Sequence, residues 1–494
     1  MGTRRDDITA AVRMQIGIAM LTPNRIWGEA TRLAREHGVS RQTVYDLAVK
    51  TKALLLRELI PAPHGPQPKA TRILVDRNRL LRSTLALTAA GVSQRHVHGC
   101  IAEMLDTAVS PSWVNDRLAE LEGRAAQVNQ RERPAVGEGL AGDELFAYGR
   151  PHLLVVGNDS LFIYALTPQP KRDGQTWGRV LQDLPPTPQF ASDGSTGLAA
   201  GLLAAGLDNQ QLDWDHLLRP LWQHDAQLEQ QAYAALEAVE ERGRLFEQAH
   251  TEKRLAQHLA RWERLQSQAE EAINRYDRFH PLARSVDAEF AMIEVTNGAL
   301  RDPETSSRRL KSLGEQIKAL PGRACDVLGT TLVNWARGLV SYLPRLAQAL
   351  APLAEAWGQA AIRALSRIWQ VEAEVKRGHL AVSQRYSLEQ IWHASLDEAA
   401  QLLGEHLFVV WDALSSILGR IWRGSMAAEC VGSLLRPLLD GRKHSDQGSS
   451  ELFRFLHNTH RFARGKRAGY APAELTGITL PADRFTLLGL APKV

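Results

Sequence analysis

Apolar and polar positions alternate along this chain in two different rhythms, and the change of rhythm marks its parts. In WGEATRLAREHGVSRQTVYDLAVK, residues 27–50, the residues Ala30, Leu33, Ala34, Val39, Val44 and Leu47 recur at helical spacing, interrupted at Gly38. Glycine accepts the left-handed conformation that ends a helix, and Ser40 suits the cap of the next one. The pattern predicts helix, tight turn, helix, which is a helix-turn-helix over residues 1–60. Its second helix would present Arg41, Gln42, Thr43, Tyr45 and Lys50 to solvent, side chains suited to base edges and phosphates in a major groove. The four prolines of PAPHGPQP at 61–68 remove backbone donors and favour extended backbone, so 61–79 is expected to be a linker. The string LLRSTLALTAAGVSQRHVHGCIAEML at 80–105 repeats helix, Gly91, Val92, Ser93, helix, with Arg95 on its second helix. Ser110 and Pro111 then start a further helix. Residues 80–134 therefore form a second helix-turn-helix candidate, closed by a polar boundary at 125–137.

The rhythm then shortens. ELFAY (144–148), LLVV (153–156) and SLFIYAL (160–166) are short, β-branched or aromatic, and separated by Gly149-Arg150-Pro151 and Gly157-Asn158-Asp159. That pattern predicts a three-stranded meander. A helix at 175–184, a strand at 189–192 and a helix at 196–206 follow, which is an α/β order. From about 216 to 428 the periodicity is almost wholly helical, and Trp335, Trp357, Trp369, Trp392, Trp411 and Trp422 are expected to pack between helices. MAAECVGSLLRPLLDGRK (426–443) reads as a helix. The tail is basic and aromatic, with Arg461, Arg464, Lys466 and Arg467 close together.

Composition changes this picture little. The 494 residues are 44% hydrophobic and 23% charged, ordinary for folded protein, and Cys100, Cys325 and Cys430 are too far apart for a CxxC site. The first thirty residues hold no uninterrupted apolar core, which argues against a signal peptide. Charges such as Asp412 and Arg337 break the longest apolar runs, so no membrane span is expected, and the scattered cysteines suit a reducing cytoplasm. The net charge of +4 conceals an asymmetry: residues 1–134 carry 20 Lys and Arg against 13 Asp and Glu. A basic N-terminal third suits a polyanionic partner.

Three acids stand out by context: Asp143 at the first strand, Asp193 at the end of the fourth, and Glu429 on a late helix. Neighbouring strands could bring the two aspartates together, and a divalent cation would offset their repulsion. Spacing alone does not select this trio from 55 acids. The motifs do: GDELFAY around Asp143, ASDGSTGLAAGL around Asp193, AAECVGSLLRPLLDGRK around Glu429, and the tail HNTHRFARGKRAGYAPAELTGI. Together with the element order, these resemble bacterial insertion-sequence DDE transposases with an RNase H-like catalytic domain.

The resemblance implies a multidomain α and α/β protein. Its N-terminal helix-turn-helix region precedes an RNase H-like α/β core, interrupted by a long all-helical insertion. The core would comprise 138–222 and 425–494, with the insertion at 223–424. It implies that Asp143, Asp193 and Glu429 are catalytic and hold Mg²⁺ or Mn²⁺, two ions in all. DWDHLLRPLW (213–222) resembles the family's fifth-strand region, which makes Asp215 and His216 further candidates near the site. Arg436 and the basic tail would hold DNA through phosphates. Glu405 and Glu451 are alternative third acids; Asp159 rivals Asp143 but sits in a hairpin-turn setting. The implied activity is cleavage of double-stranded DNA at element ends and strand transfer to target DNA, by a homodimer or higher oligomer. A transposase-derived DNA-binding protein without catalysis is the alternative, and an RNase H-fold nuclease without strand transfer is a third reading.

Overall fold

The computed structural model describes residues 8–22, 28–59, 75–134, 138–147, 149–248, 251–378, 380–440 and 446–492. The chain divides into two compact units, Met1–Leu74 and Val75–Val494. Most of the expected linker, 61–74, lies outside the described residues.

The first unit contains α1 (Ala10–Leu21), α2 (Glu29–Glu36) and α3 (Arg41–Leu59). Its small core is Ile16, Met20, Ala30, Leu33, Ala34, Val44 and Leu47, the apolar stripe of the sequence joined by one face of α1. Between α2 and α3, Gly38 adopts φ +62°, and the Ser40 hydroxyl accepts the Thr43 N–H at 3.0 Å to cap α3. Arg41, Gln42, Tyr45 and Lys50 are exposed, while Thr43 is half-buried and bonded to Ser40.

The second unit begins with α4 (Arg77–Ala89), α5 (Gln94–Leu105) and α6 (Pro111–Arg131). Gly91 turns α4 into α5 at φ +78°, and the Ser110 hydroxyl caps α6 by accepting the Trp113 N–H. Then come β1 (Leu140–Ala147), β2 (Arg150–Gly157), β3 (Ile163–Pro168), α7 (Gly174–Gln182), β4 (Phe190–Ser192), α8 (Thr196–Ala204) and β5 (Gln210–Leu212). The strands form a mixed five-stranded sheet in the order β3-β2-β1-β4-β5. β1–β2 and β2–β3 pair antiparallel; β1–β4 and β4–β5 pair parallel. The chain is thus a multidomain protein of α and α/β character. The fifth strand lies at 210–212, just before the segment where the sequence placed it.

Period-two alternation divides β1 between the faces of the sheet. Ala141, Leu145 and Ala147 join a core with α4–α6 and two later helices, α17 (Met426–Asp440) and α18 (Gln447–Asn458), which are numbered after the helices described next. Leu140 packs on the other face with Trp177, Phe190, Leu198 and Leu202 from α7, β4 and α8. The boundary expected at 125–137 does not separate two cores. Leu118, Leu121, Ala125 and Val128 of α6 are buried in the same cluster as Ala141, Leu145 and Leu452, so 80–134 is part of the sheet's own packing.

The helical region runs through α9 (Trp214–Glu247), α10 (Glu252–Ala288), α11 (Pro303–Lys318), α12 (Arg323–Leu339), α13 (Leu343–Trp357), α14 (Gln359–Arg377), α15 (Val382–Leu403) and α16 (Leu407–Gly419). The expected boundary at 222/223 falls inside α9, which starts directly after β5 and continues for 34 residues. Trp214, Leu217 and Leu221 belong to the same core as the later helices, so the helical region is rooted at the sheet edge. Trp335, Trp357, Trp369, Trp392 and Trp411 pack against that core. One stretch departs from the expectation of no apolar run of membrane length. Val382–Gly419 is long and apolar enough to cross a membrane by length and composition alone, with a mean hydropathy of 1.3. Ala399, Leu403, Val410, Leu414 and Leu418 on it are nevertheless buried in the helical core.

Candidate functional site

Register brings the two aspartates together. Parallel strands β1 and β4 pair through Gly142 and Ser192, so Asp143 and Asp193 each stand one residue beyond that pair. Close approach of the strands requires a glycine: a Cβ at Gly142 would meet the Phe190 ring at 2.5 Å. Asp143 alternates with Ala141 and Leu145, and Asp193 with Ala191, so both follow the face that packs against α17. Glu429 lies in the first turn of that helix, whose Gly432 runs close over Leu145. The sheet and one helix therefore converge three carboxyls from distant parts of the sequence.

The electrostatics record that convergence. Burial, then the negative charges of Asp193 and Glu429, push the Asp143 carboxyl up to about 6, against a lowering influence from the Glu144 backbone N–H and the Arg436 guanidinium. Asp193 also accepts the Ser195 N–H at 2.9 Å, which fixes the loop into α8.

A second group adjoins these acids where β5 ends. Asp213 is fully buried and caps α9. It accepts the Asp215 N–H at 2.7 Å, the Ser425 N–H at 2.7 Å and the Ser425 hydroxyl at 2.6 Å. The His216 ring lies one helical turn on, with Nδ1 3.2 Å from Asp213 and Nε2 3.8 Å from Glu429 Oε1. Burial alone would raise Asp213, but its bonds with His216, Ser425 and Asp215 outweigh it and hold the carboxyl below its ordinary range. The bond to Asp213 raises His216, with burial opposing and Asp193 and Glu429 adding to the rise. Asp213, His216 and Glu429 offer ligand atoms within 4.8 Å of one another. The hydrogen bonds already made by Asp213 give it the role of orienting His216, as a carboxylate behind an imidazole does.

Of the other sequence candidates, Asp215 is ion-paired with Arg219, and Arg219 also reaches Glu429 at 4.0 Å. Arg436 is exposed on α17, near enough for its charge to act on Asp143. The alternative acids are placed elsewhere. Glu405 is exposed in a one-turn 3-10 helix, Glu451 is engaged by Asn129 and lies 3.6 Å from Arg454, and Asp159 is in the turn between β2 and β3. Arg95, Arg464 and Lys466 are exposed. Arg461 instead pairs with Glu474 at 2.5 Å, and Arg467 donates to the carbonyls of Asp159 at 2.7 Å and Asn158 at 3.2 Å. The first pair closes a loop within the tail, and Arg467 ties the tail to the β2–β3 turn.

Two acids close to the site escaped the sequence reading. One is Asp213, whose three-residue spacing to His216 at a strand-to-helix junction was the available signal. The other is Glu144, on the opposite face of β1 from Asp143. It accepts the Trp177 indole N–H at 2.5 Å and lies 3.6 Å from Arg172, with burial raising it. No family model matches the chain, and no curated protein sequence matches it significantly.

Proposed function

We propose that the protein is a DDE-type DNA transposase that binds element ends and catalyses metal-dependent strand cleavage and strand transfer. The observation that carries this reading is the convergence of Asp143, Asp193 and Glu429: the two aspartates stand one residue beyond the Gly142–Ser192 pair of β1 and β4, and the charges of Asp193 and Glu429 act on Asp143. In this reading the mixed sheet β3-β2-β1-β4-β5 is an RNase H-like core, α9–α16 are its helical insertion, and α1–α3 and α4–α6 are the helix-turn-helix elements.

The three carboxyls suit a divalent cation: the charges of Asp193 and Glu429 oppose the ionisation of Asp143, and oxygen donors are what Mg²⁺ and Mn²⁺ take. When bound, two such ions supply an activated hydroxyl nucleophile and stabilise the leaving oxygen at phosphorus. Asp143, Asp193 and Glu429 would hold them. Asp213 fixes His216 through Nδ1, and His216 in turn faces Glu429 through Nε2 at 3.8 Å, an electrostatic contact. Arg436 and Arg219 lie beside the carboxyls, ready to meet phosphate oxygens. Arg41, Gln42, Thr43, Tyr45, Lys50 and Arg95 would read or grip the element end, and Arg464 and Lys466 would contact phosphates. The partners are then element-end and target duplexes, with a homodimer or higher oligomer assembled on them.

The test is incubation of the full chain with Mg²⁺ and DNA carrying the flanking ends of its own element, beside Asp193→Ala. Cleavage and joining by the wild type and their loss in Asp193→Ala are expected. Specific end binding by both proteins with neither cutting nor joining by the wild type would overturn the enzyme reading.

A further inference from the structure

The carboxylate site has a nitrogen donor at its border. Asp213 ends β5 and caps α9, and His216 is the third residue of that helix, so the two side chains meet across its first turn. Asp213 is fully buried, and its oxygens are taken up by the Asp215 N–H and by the N–H and hydroxyl of Ser425. The imidazole Nδ1 lies 3.2 Å from the same carboxylate. Nε2 is left as the open ring nitrogen, with no hydrogen bond among the described residues, and it stands 3.8 Å from Glu429 Oε1. The His216 and Glu429 side chains are 36% and 35% exposed, so an ion can reach both from solvent.

We propose that His216 Nε2 and Glu429 are joint ligands of one divalent ion, a mixed nitrogen–oxygen centre that takes a first-row transition-metal ion, from Mn²⁺ to Zn²⁺, in preference to Mg²⁺. The proposal rests on the carboxylate site of the transposase reading and adds the class of ion that site selects. Three observations carry it. The 3.8 Å between Nε2 and Oε1 is too long for a hydrogen bond, yet lies inside the ~4.2 Å that two ligand bonds of ~2.1 Å to a shared ion can span. A buried carboxylate on Nδ1 is the partner that fixes the tautomer and orientation of a metal-binding imidazole, and the engaged oxygens of Asp213 keep it behind the ring. Arg219 approaches the other oxygen of Glu429, Oε2, at 4.0 Å and is paired with Asp215, which leaves Oε1 to the ion. Asp193, whose charge acts on both His216 and Asp143, completes the donor set together with Asp143. An imidazole nitrogen suits the transition series, whereas Mg²⁺ takes oxygen ligands and keeps its waters.

Pulsed electron paramagnetic resonance of the full-length protein with Mn²⁺, in the absence of DNA, tests this. A directly bound imidazole nitrogen modulates the Mn²⁺ spin echo, and carboxylate or water oxygen does not. The expected wild-type spectrum carries the modulation of one such nitrogen, and His216→Gln abolishes it. In Mn²⁺ titrations with Mg²⁺ as competitor, His216→Gln is expected to weaken Mn²⁺ at least about tenfold, the low end for disturbing the surroundings of a bound metal, and Mg²⁺ less than about twofold. No Mn²⁺ binding, a wild-type spectrum without nitrogen modulation, modulation that survives in His216→Gln, or equal losses for the two ions would each overturn the proposal. Circular dichroism shows whether the variant is folded. Glu429→Gln removes the other ligand and is expected to abolish the same modulation, so its survival there overturns the assignment equally. Asp193-dependent cleavage beside an oxygen-only Mn²⁺ spectrum sinks this proposal alone; a nitrogen-modulated spectrum in a protein that cuts no DNA sinks the transposase reading alone.

Discussion

Replacing Asp143 by asparagine is expected to make the metal-free protein more stable at neutral pH. The Asp143 carboxyl sits at about 6 in the fold against 3.8 when free. The folded state therefore binds this proton more tightly than the unfolded chain does. Stability falls as pH rises from about 4 to about 6 and stays reduced above that, by about 3 kcal/mol if the whole shift is expressed. Asparagine keeps the shape and removes the charge, but it weakens the bond from the Glu144 N–H. A net gain of about 1–2 kcal/mol near pH 7.5 in chelator is the expected outcome, shrinking to nothing near pH 4. Millimolar Mg²⁺ would remove the same penalty in the wild type, because a cation between the carboxyls favours their ionised form. Thermal melts of wild type and Asp143→Asn at both pH values, with and without Mg²⁺, read all of this at once. The variant should melt higher in chelator at pH 7.5 and respond less to Mg²⁺. A variant that melts lower there, or an advantage equal at pH 4 and 7.5, refutes the account of Asp143 as a destabilising charge that a cation relieves.

Asp213→Asn is expected to do the opposite. It removes the charge that orients His216 and weakens the bonds from Ser425, costing about 2–4 kcal/mol at neutral pH by chemical denaturation, and it lowers the His216 pKa in a nuclear magnetic resonance titration. Since Asp213 is held below its ordinary range, this stabilisation is present above the unfolded value and is lost as pH falls through the folded one. In the tail, the double substitution of Arg464 and Lys466 by alanine should weaken DNA binding several-fold, flatten its salt dependence and leave the melting temperature unchanged. Arg467→Ala should lower the melting temperature, through the lost bonds to Asn158 and Asp159. The reverse pattern in these tail variants would mean that their exposed and tethered cations have been misassigned.

How much of this was legible in the sequence depends on the length of each pattern. The stripe from Ala30 to Leu47 is long enough to show periodicity and predicted the buried face observed, whereas the strand expected at 144–148 left open which face is buried. β5 is the three residues Gln210–Leu212, with two glutamines and no β-branched side chain, so its sequence carried no strand signal. Its identity comes from pairing with β4, a contact between segments that no local pattern encodes. The same displacement explains Asp213. Without the strand end, Asp215 and Asp213 look alike in DWDHLLRPLW; once β5 is placed, Asp213 falls at the buried junction and Asp215 on the outer turn beside Arg219. The tail cations were indistinguishable for a similar reason, since Glu474 and the carbonyls of the β2–β3 turn are partners only after folding.

The start of α9 joins parts that the sequence kept separate. Asp213 caps α9, and His216, Arg219 and Trp222 follow at steps of three, so neighbours in the series lie about one turn apart while the series winds round the helix. The first is locked to Ser425 just ahead of α17, the second and third face Glu429, and the fourth lines a cleft of mixed charge between α9, α10 and α14–α15. The lock between Asp213 and Ser425 ties the start of α9 to the start of α17, so His216 and Arg219 are held against Glu429 by the helical region itself. A helical region attached at a flexible joint could not exert this coupling; one rooted at Asp213 can. The 34 residues of α9 make the helical region a wall of the candidate site and give a physical reason for its insertion between Asp193 and Glu429 rather than at an end of the chain.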